Sequence, residues 1–157
     1  MKIINKILVL IVFIGCFFSC GEDEQTYTIP QSAVNLTVNL NGADNILNTL
    51  YAYKTYESVS GQTAYTYLGY AGILLFCADI NSEGIPVLNA FDLCCPYEDN
   101  RNVKVTPTQD RKAVCSKCKS EYDLLTGMRT SGPSTERLQS YRVSYEVPYY
   151  GKFVIRN

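Results

Sequence analysis

Two apolar runs, GILLFCADI at residues 72–80 and IPVLNAFDL at residues 85–93, are separated by four turn-forming residues, Asn81 to Gly84. Nothing else in the chain restricts its fold as tightly. The first run has no polar face, which is the pattern of a strand covered on both sides, and the return run after a short polar turn makes the pair a β-hairpin. Upstream, VNLTVNL at residues 34–40 alternates strictly: Val34, Leu36, Val38 and Leu40 point one way, and Asn35, Thr37 and Asn39 the other. That is a half-buried strand, closed by the turn signal Asn41-Gly42. Residues 50–56 place Tyr51, Tyr53 and Thr55 on one face, and TAYTYLGY at residues 63–70 extends the aromatic pattern. Near the end, LQSYRVSYEV sets Tyr141, Val143 and Tyr145 against Arg142, Ser144 and Glu146, and GKFVIRN reads as a last strand. Thirteen tyrosines and no long stretch of helical spacing complete an all-β expectation.

The first twenty residues are of a different kind. Lys2 and Lys6 precede an unbroken apolar run from Ile7 to Phe18, which matches a signal peptide and is too short to favour a membrane span. It ends at Ser19-Cys20, a small residue before a cysteine, as in a bacterial lipoprotein signal. Cys16 is a rival site, but cleavage there would leave Phe17 and Phe18 at the mature end. Cys20 is followed directly by Gly21-Glu22-Asp23-Glu24, which resembles the surface-export signal of Bacteroidetes lipoproteins. The expected layout is a signal peptide at 1–19, lipidation of Cys20, an acidic tether at 20–32 and one domain at 33–157. The membrane partner is then outer-membrane lipid held through Cys20, with the domain exported and open to cell-surface exposure. The formal charge is −1, becoming about −3 once Lys2 and Lys6 are removed, and no basic patch argues for nucleic acid.

Two cysteine sites follow the hairpin. FDLCCPYE carries Cys94 and Cys95, and CSKC, about twenty residues on, carries Cys115 and Cys118. The polar stretch between them, with Asp99-Asn100 and Thr106-Pro107, places both on loops at one end of a sheet. This order of residues resembles the Rieske iron–sulfur domain, which has C-P-H on one loop and C-P-x-H on a second. Cys95-Pro96-Tyr97 and Cys115-Ser116-Lys117-Cys118 occupy those places. Tyr122-Asp123-Leu124-Leu125-Thr126-Gly127 is similar to the strand and turn after the second loop, and Gly132-Pro133-Ser134 to the loop that covers the cluster. Residues 138–143 stand where the strand beyond it would be. The resemblance runs over residues 73–155. It implies a Rieske-like sandwich of antiparallel sheets with a two-loop binding subdomain, similar to Rieske-like lipoproteins of Bacteroidetes.

An orthodox Rieske centre needs two histidines on one iron, and this chain has none. The positions implied as ligands become Cys95, Tyr97, Cys115 and Cys118. Three thiols begin a soft-metal site, and the fourth ligand stays open. A phenol such as Tyr97 is a reluctant ligand. Cys94 points to the opposite face from Cys95 on a regular strand, and joins only if a bulge redirects it. Cys77 reads as a buried core thiol. Three outcomes therefore remain: a [2Fe–2S] cluster passing electrons to a redox partner, a zinc clip, or a site with no cofactor, as a disulfide or empty. The last two would make the chain a non-redox module on a degenerate scaffold. Asp92, Glu98, Glu121 and Asp123 near the loops read as solvated carboxylates, and with no His/Ser/Asp constellation the chain is not expected to be catalytic itself.

Overall fold

The computed structural model describes residues 27–59, 65–146 and 151–157; the signal, Cys16 and Cys20 lie outside them. Among the described residues there are eleven strands: β1 Val34–Asn39, β2 Tyr53–Tyr56, β3 Tyr67–Leu68, β4 Ile73–Ile80, β5 Pro86–Asp92, β6 Val105–Pro107, β7 Lys112–Cys115, β8 Glu121–Asp123, β9 Arg129–Ser131, β10 Ser140–Tyr145 and β11 Lys152–Arg156. A single 3-10 turn, Asn45–Asn48, is the one helical element among the described residues. Seven strands form a nearly closed sheet in the order β2-β4-β5-β10-β11-β1-β3, and four form a small sheet in the order β6-β7-β8-β9. Every pairing is antiparallel.

The expected hairpin is β4 and β5, in register from Ile73↔Asp92 to Cys77↔Leu88, with a shift between Cys77 and Asp79. The apolar run of β4 has two destinations. Ile73, Leu75 and Cys77 enter a core shared with Val34, Leu36, Val38, Phe153 and Ile155 inside the large sheet. Leu74 and Phe76 enter a second core shared with the small sheet. A strand with period-two side chains and apolar residues at every position can serve both. Ile73 to Phe76 are completely buried, and each such side chain contributes about 2 kcal/mol of hydrophobic stabilisation. The hairpin is thus the wall between the two cores, and the cysteine loops lie on the small-sheet side of it.

Two readings of the sequence are corrected: where the strand of residues 50–56 begins, and the solvation of Asp92. On β2, Tyr56 is buried in the large-sheet core, Tyr53 packs against the small-sheet core and Thr55 is exposed. Tyr51 precedes the strand with φ of 64° and stacks on Phe76 at 6.2 Å. Asp92 is wholly buried. Its carboxylate accepts the N–H groups of Tyr70 (2.8 Å), Ala71 (3.2 Å) and Cys94 (2.7 Å) and the hydroxyl of Tyr141 (2.6 Å). A carboxylate with four donors can leave water. Gly69 follows from this arrangement: a Cβ there would stand 2.3 Å from Tyr141 Oη and 2.8 Å from Asp92 Oδ2.

The packed region also reaches back beyond residue 33. Ile29 is 1% exposed and belongs to the small-sheet core, and Thr28 donates both its N–H and its hydroxyl to the Glu136 carboxylate.

Candidate metal centre

The small sheet is a single insertion between Asp92, at the end of β5, and Ser140, at the start of β10. Its entry is fixed by backbone bonds: Val105 N–H to Leu93 O at 2.8 Å, Cys95 N–H to Val103 O at 3.0 Å, and a lone bridge between Cys94 and Lys104. Both cysteine loops hang from this sheet and are built alike. The carbonyl of Cys95 accepts the N–H of Asp99 at 3.2 Å, and that of Cys115 accepts the N–H of Lys119 at 3.0 Å. In each loop the residue four after the cysteine takes a left-handed conformation, φ 41° at Asp99 and 64° at Lys119. Left-handed backbone disfavours side chains, Lys more than Asp, so the tight turns are held by their surroundings. An ion pair from Lys117 to Glu98, whose side chain is 9% exposed, ties one loop to the other.

Cys95, Cys115 and Cys118 converge: their sulfurs all lie within 4.8 Å of one another, with Cys95 and Cys118 3.6 Å apart. Cys95 and Cys115 are buried and Cys118 is partly exposed. These three thiols, with Cys94 and Cys77, are all free. Cys77 lies in the large-sheet core as expected, with its thiol 3.5 Å from the Asp79 carbonyl. Cys94 is brought close in sequence only. Its sulfur is 3.6 Å from the Cys95 carbonyl and is not one of the converging three. Tyr97 is 56% exposed.

The oxygen beside the thiols belongs to Tyr122, whose hydroxyl is 3.7 Å from Cys95 Sγ. Ser120 and Ser134 supply more. Cys118 Sγ lies 3.2 Å from Ser120 Oγ and accepts the Ser120 N–H at 3.5 Å, and the Ser134 N–H donates to Ser120 Oγ at 3.0 Å. Reading by sequence missed these hydroxyls. The available signal was period two: Ser120 and Tyr122, two apart at the edge of β8, face the same side. The segment of Gly132, Pro133 and Ser134 reaches the thiols through this serine pair. Gly132 (φ 88°) lies so close that a Cβ would be 2.4 Å from Ser120 Cα. Gly132 and Pro133 themselves are exposed.

Electrostatics separates the sulfurs. Burial pushes the Cys95 thiol up, with the Tyr122 hydroxyl pulling weakly the other way. Partial burial also raises Cys118, but the hydroxyl and N–H of Ser120, together with the neighbouring thiols Cys115 and Cys95, outweigh it and hold that thiol below its ordinary value. Burial raises Tyr122 as well, so the phenol stays a neutral donor, with Ser134 opposing the shift. Burial thus pushes the inner Cys95 thiol up while Cys118 is held down, and the Tyr122 hydroxyl lies 3.7 Å from the inner sulfur. The other carboxylates are accounted for: Glu121 pairs with Lys112 at 2.7 Å, and Asp123 caps its turn through the Leu125 N–H and the Thr126 hydroxyl.

Three sulfurs at this separation are a donor set for a soft metal ion. The cluster could hold a metal; the chemistry of thiols alone does not select which. No protein-family model matches the chain, and no curated protein matches it.

Proposed function

We propose that this protein is an exported metal-binding module on a Rieske-like scaffold, anchored in the outer membrane by lipid on Cys20. The observation that carries the reading is the meeting of Cys95, Cys115 and Cys118 from two loops at one point. The scaffold is supported by a small antiparallel sheet bearing both loops and inserted into a larger one, and by the Gly132–Ser134 segment behind them. The sulfur spacing favours one ion. Thiolates at one metal with bonds of about 2.3 Å sit roughly 4 Å apart, which the 3.6 Å between Cys95 and Cys118 approaches. Thiolates on different irons of a [2Fe–2S] cluster are held further apart, because two metals and bridging sulfides lie between them.

A two-iron cluster with electron transfer is the second reading, and the hydroxyl fence favours it. Hydrogen bonds to sulfur and shielding from solvent are the means by which proteins set cluster potentials, and Tyr122 and Ser120 are placed to do both. Elemental analysis of anaerobically purified protein separates the readings. One equivalent of a single metal without acid-labile sulfide is the expected result. Two irons with two sulfides and a visible absorption band would replace it with the electron carrier. Protein free of metal that takes none up under reducing conditions would leave only the scaffold.

The anchor has its own test. Cys20→Ala should release the protein from the membrane fraction, and Cys16→Ala should leave it there. A mature N-terminus carrying lipid on Cys16, or no lipid, as read by mass spectrometry, would overturn the assignment.

A further inference from the structure

We infer that the centre takes a thiophilic ion satisfied by three sulfurs, of the kind represented by copper(I) and arsenic(III), and not an ion that needs four protein ligands. This rests on the metal-centre reading above and deepens it. Among the described residues, no fourth cysteine, histidine or carboxylate ligand atom joins the three sulfurs. Each neighbour that could supply one has another role. Cys94 turns its thiol to the Cys95 carbonyl. Asp92 spends both oxygens on four donors from the protein. Glu98 is paired with Lys117, and Tyr97 is exposed. Tyr122 stands beside one sulfur as a hydrogen-bond partner, 3.7 Å from it.

Structural zinc sites are closed by four protein ligands in a tetrahedron. A donor set of three sulfurs instead suits soft ions that form trigonal thiolate complexes. The three sulfurs of such a complex, with bonds of about 2.3 Å, are separated by about 4 Å, inside the range the thiols already span. The reactions balance without a redox partner. Copper(I) forms three Cu–S bonds and displaces the thiol protons to solvent. Arsenous acid forms three As–S bonds, breaks three As–O bonds and releases three waters. Cys118, the partly exposed sulfur, is the point of entry.

The test uses the purified, reduced chain under anaerobic conditions, titrated in separate arms with copper(I) held by a chromogenic chelator, with arsenite and with zinc(II). X-ray absorption then counts the ligands. The expected result is one ion per chain with three sulfurs and no fourth protein ligand. Cys118→Ser should abolish binding while keeping a native circular dichroism spectrum, Cys94→Ser and Tyr97→Phe should leave it unchanged, and Tyr122→Phe should weaken it about tenfold through its contact with Cys95. Copper(I) uptake with thiols still open to alkylation in arsenite assigns copper, and protection by arsenite without copper uptake assigns arsenic. Zinc bound by four protein ligands, Cys94 among them, or iron with sulfide, would overturn the three-sulfur inference and leave the metal centre standing. A chain that binds no ion in any arm would overturn both.

Discussion

Asp92→Ala should destabilise the protein by about 4 kcal/mol, the largest effect expected of any single substitution outside the thiols. The mutation removes the acceptor of four hydrogen bonds in a site that excludes water. Each buried donor left without a partner costs roughly 1–3 kcal/mol, and relaxation recovers part of the sum. The damage should extend to the thiols, because the Cys94 N–H is one of the four donors and Cys95 is the next residue. Asp92→Asn keeps one acceptor oxygen and should cost less. Urea unfolding measures both, as a fall in midpoint at constant slope. A loss below about 1 kcal/mol for the alanine variant would mean that water replaces the carboxylate, and that the buried hub is not a determinant of stability.

The second large effect is on thermal stability with and without metal. An ion at one hundred times its dissociation constant stabilises the chain by about 2.7 kcal/mol if it binds only the folded state, which for a domain of this size is a rise of about 10 °C in Tm. Selective binding to the folded state follows from the architecture. The unfolded chain can bring together Cys115 and Cys118, but Cys95 joins them only when the small sheet is paired. Calorimetry of metal-loaded and chelator-treated protein should show the shift, and Cys115→Ser should abolish it. Equal melting temperatures for two samples that differ in measured metal content would place the metal away from these thiols.

Most of the large sheet was legible because five of its strands, β1, β4, β5, β10 and β11, are long enough to show a period. The alternation of residues 34–40, the two apolar runs of the hairpin and the Tyr141–Val143–Tyr145 stripe all reappear as strands with the expected buried faces. The small sheet was not legible. Its strands are three or four residues long, too short for alternation to rise above chance, and apart from the strand and turn that the family resemblance implied at residues 122–127 they were read only as polar stretches around cysteines. At the thiols, residue type was enough to choose Cys95, Cys115 and Cys118, since the motif spacing carried them. It was not enough to choose the oxygen beside them. Tyr97 was raised by its place in a motif and weighed as a reluctant ligand, whereas Tyr122 is selected by the turn of a strand. Asp92 failed for a similar reason: a carboxylate reads as solvated until four donors from distant parts of the chain are seen to meet it.

The small sheet is inserted whole between β5 and β10, and this sets the order in which the molecule can assemble. Its strand pairs join residues close in sequence, such as Val105↔Cys115 and Val114↔Glu121. The large sheet depends on the pairing of β1 with β11, where Asn35 meets a residue far along the chain, Arg156. Short loops close at lower entropic cost and faster than long ones. The segment bearing the thiols can therefore form its hairpins while the two ends of the chain are still searching for each other. Metal available at that stage would act as a nucleus, gathering Cys95 and the Cys115–Cys118 pair before the outer strands lock.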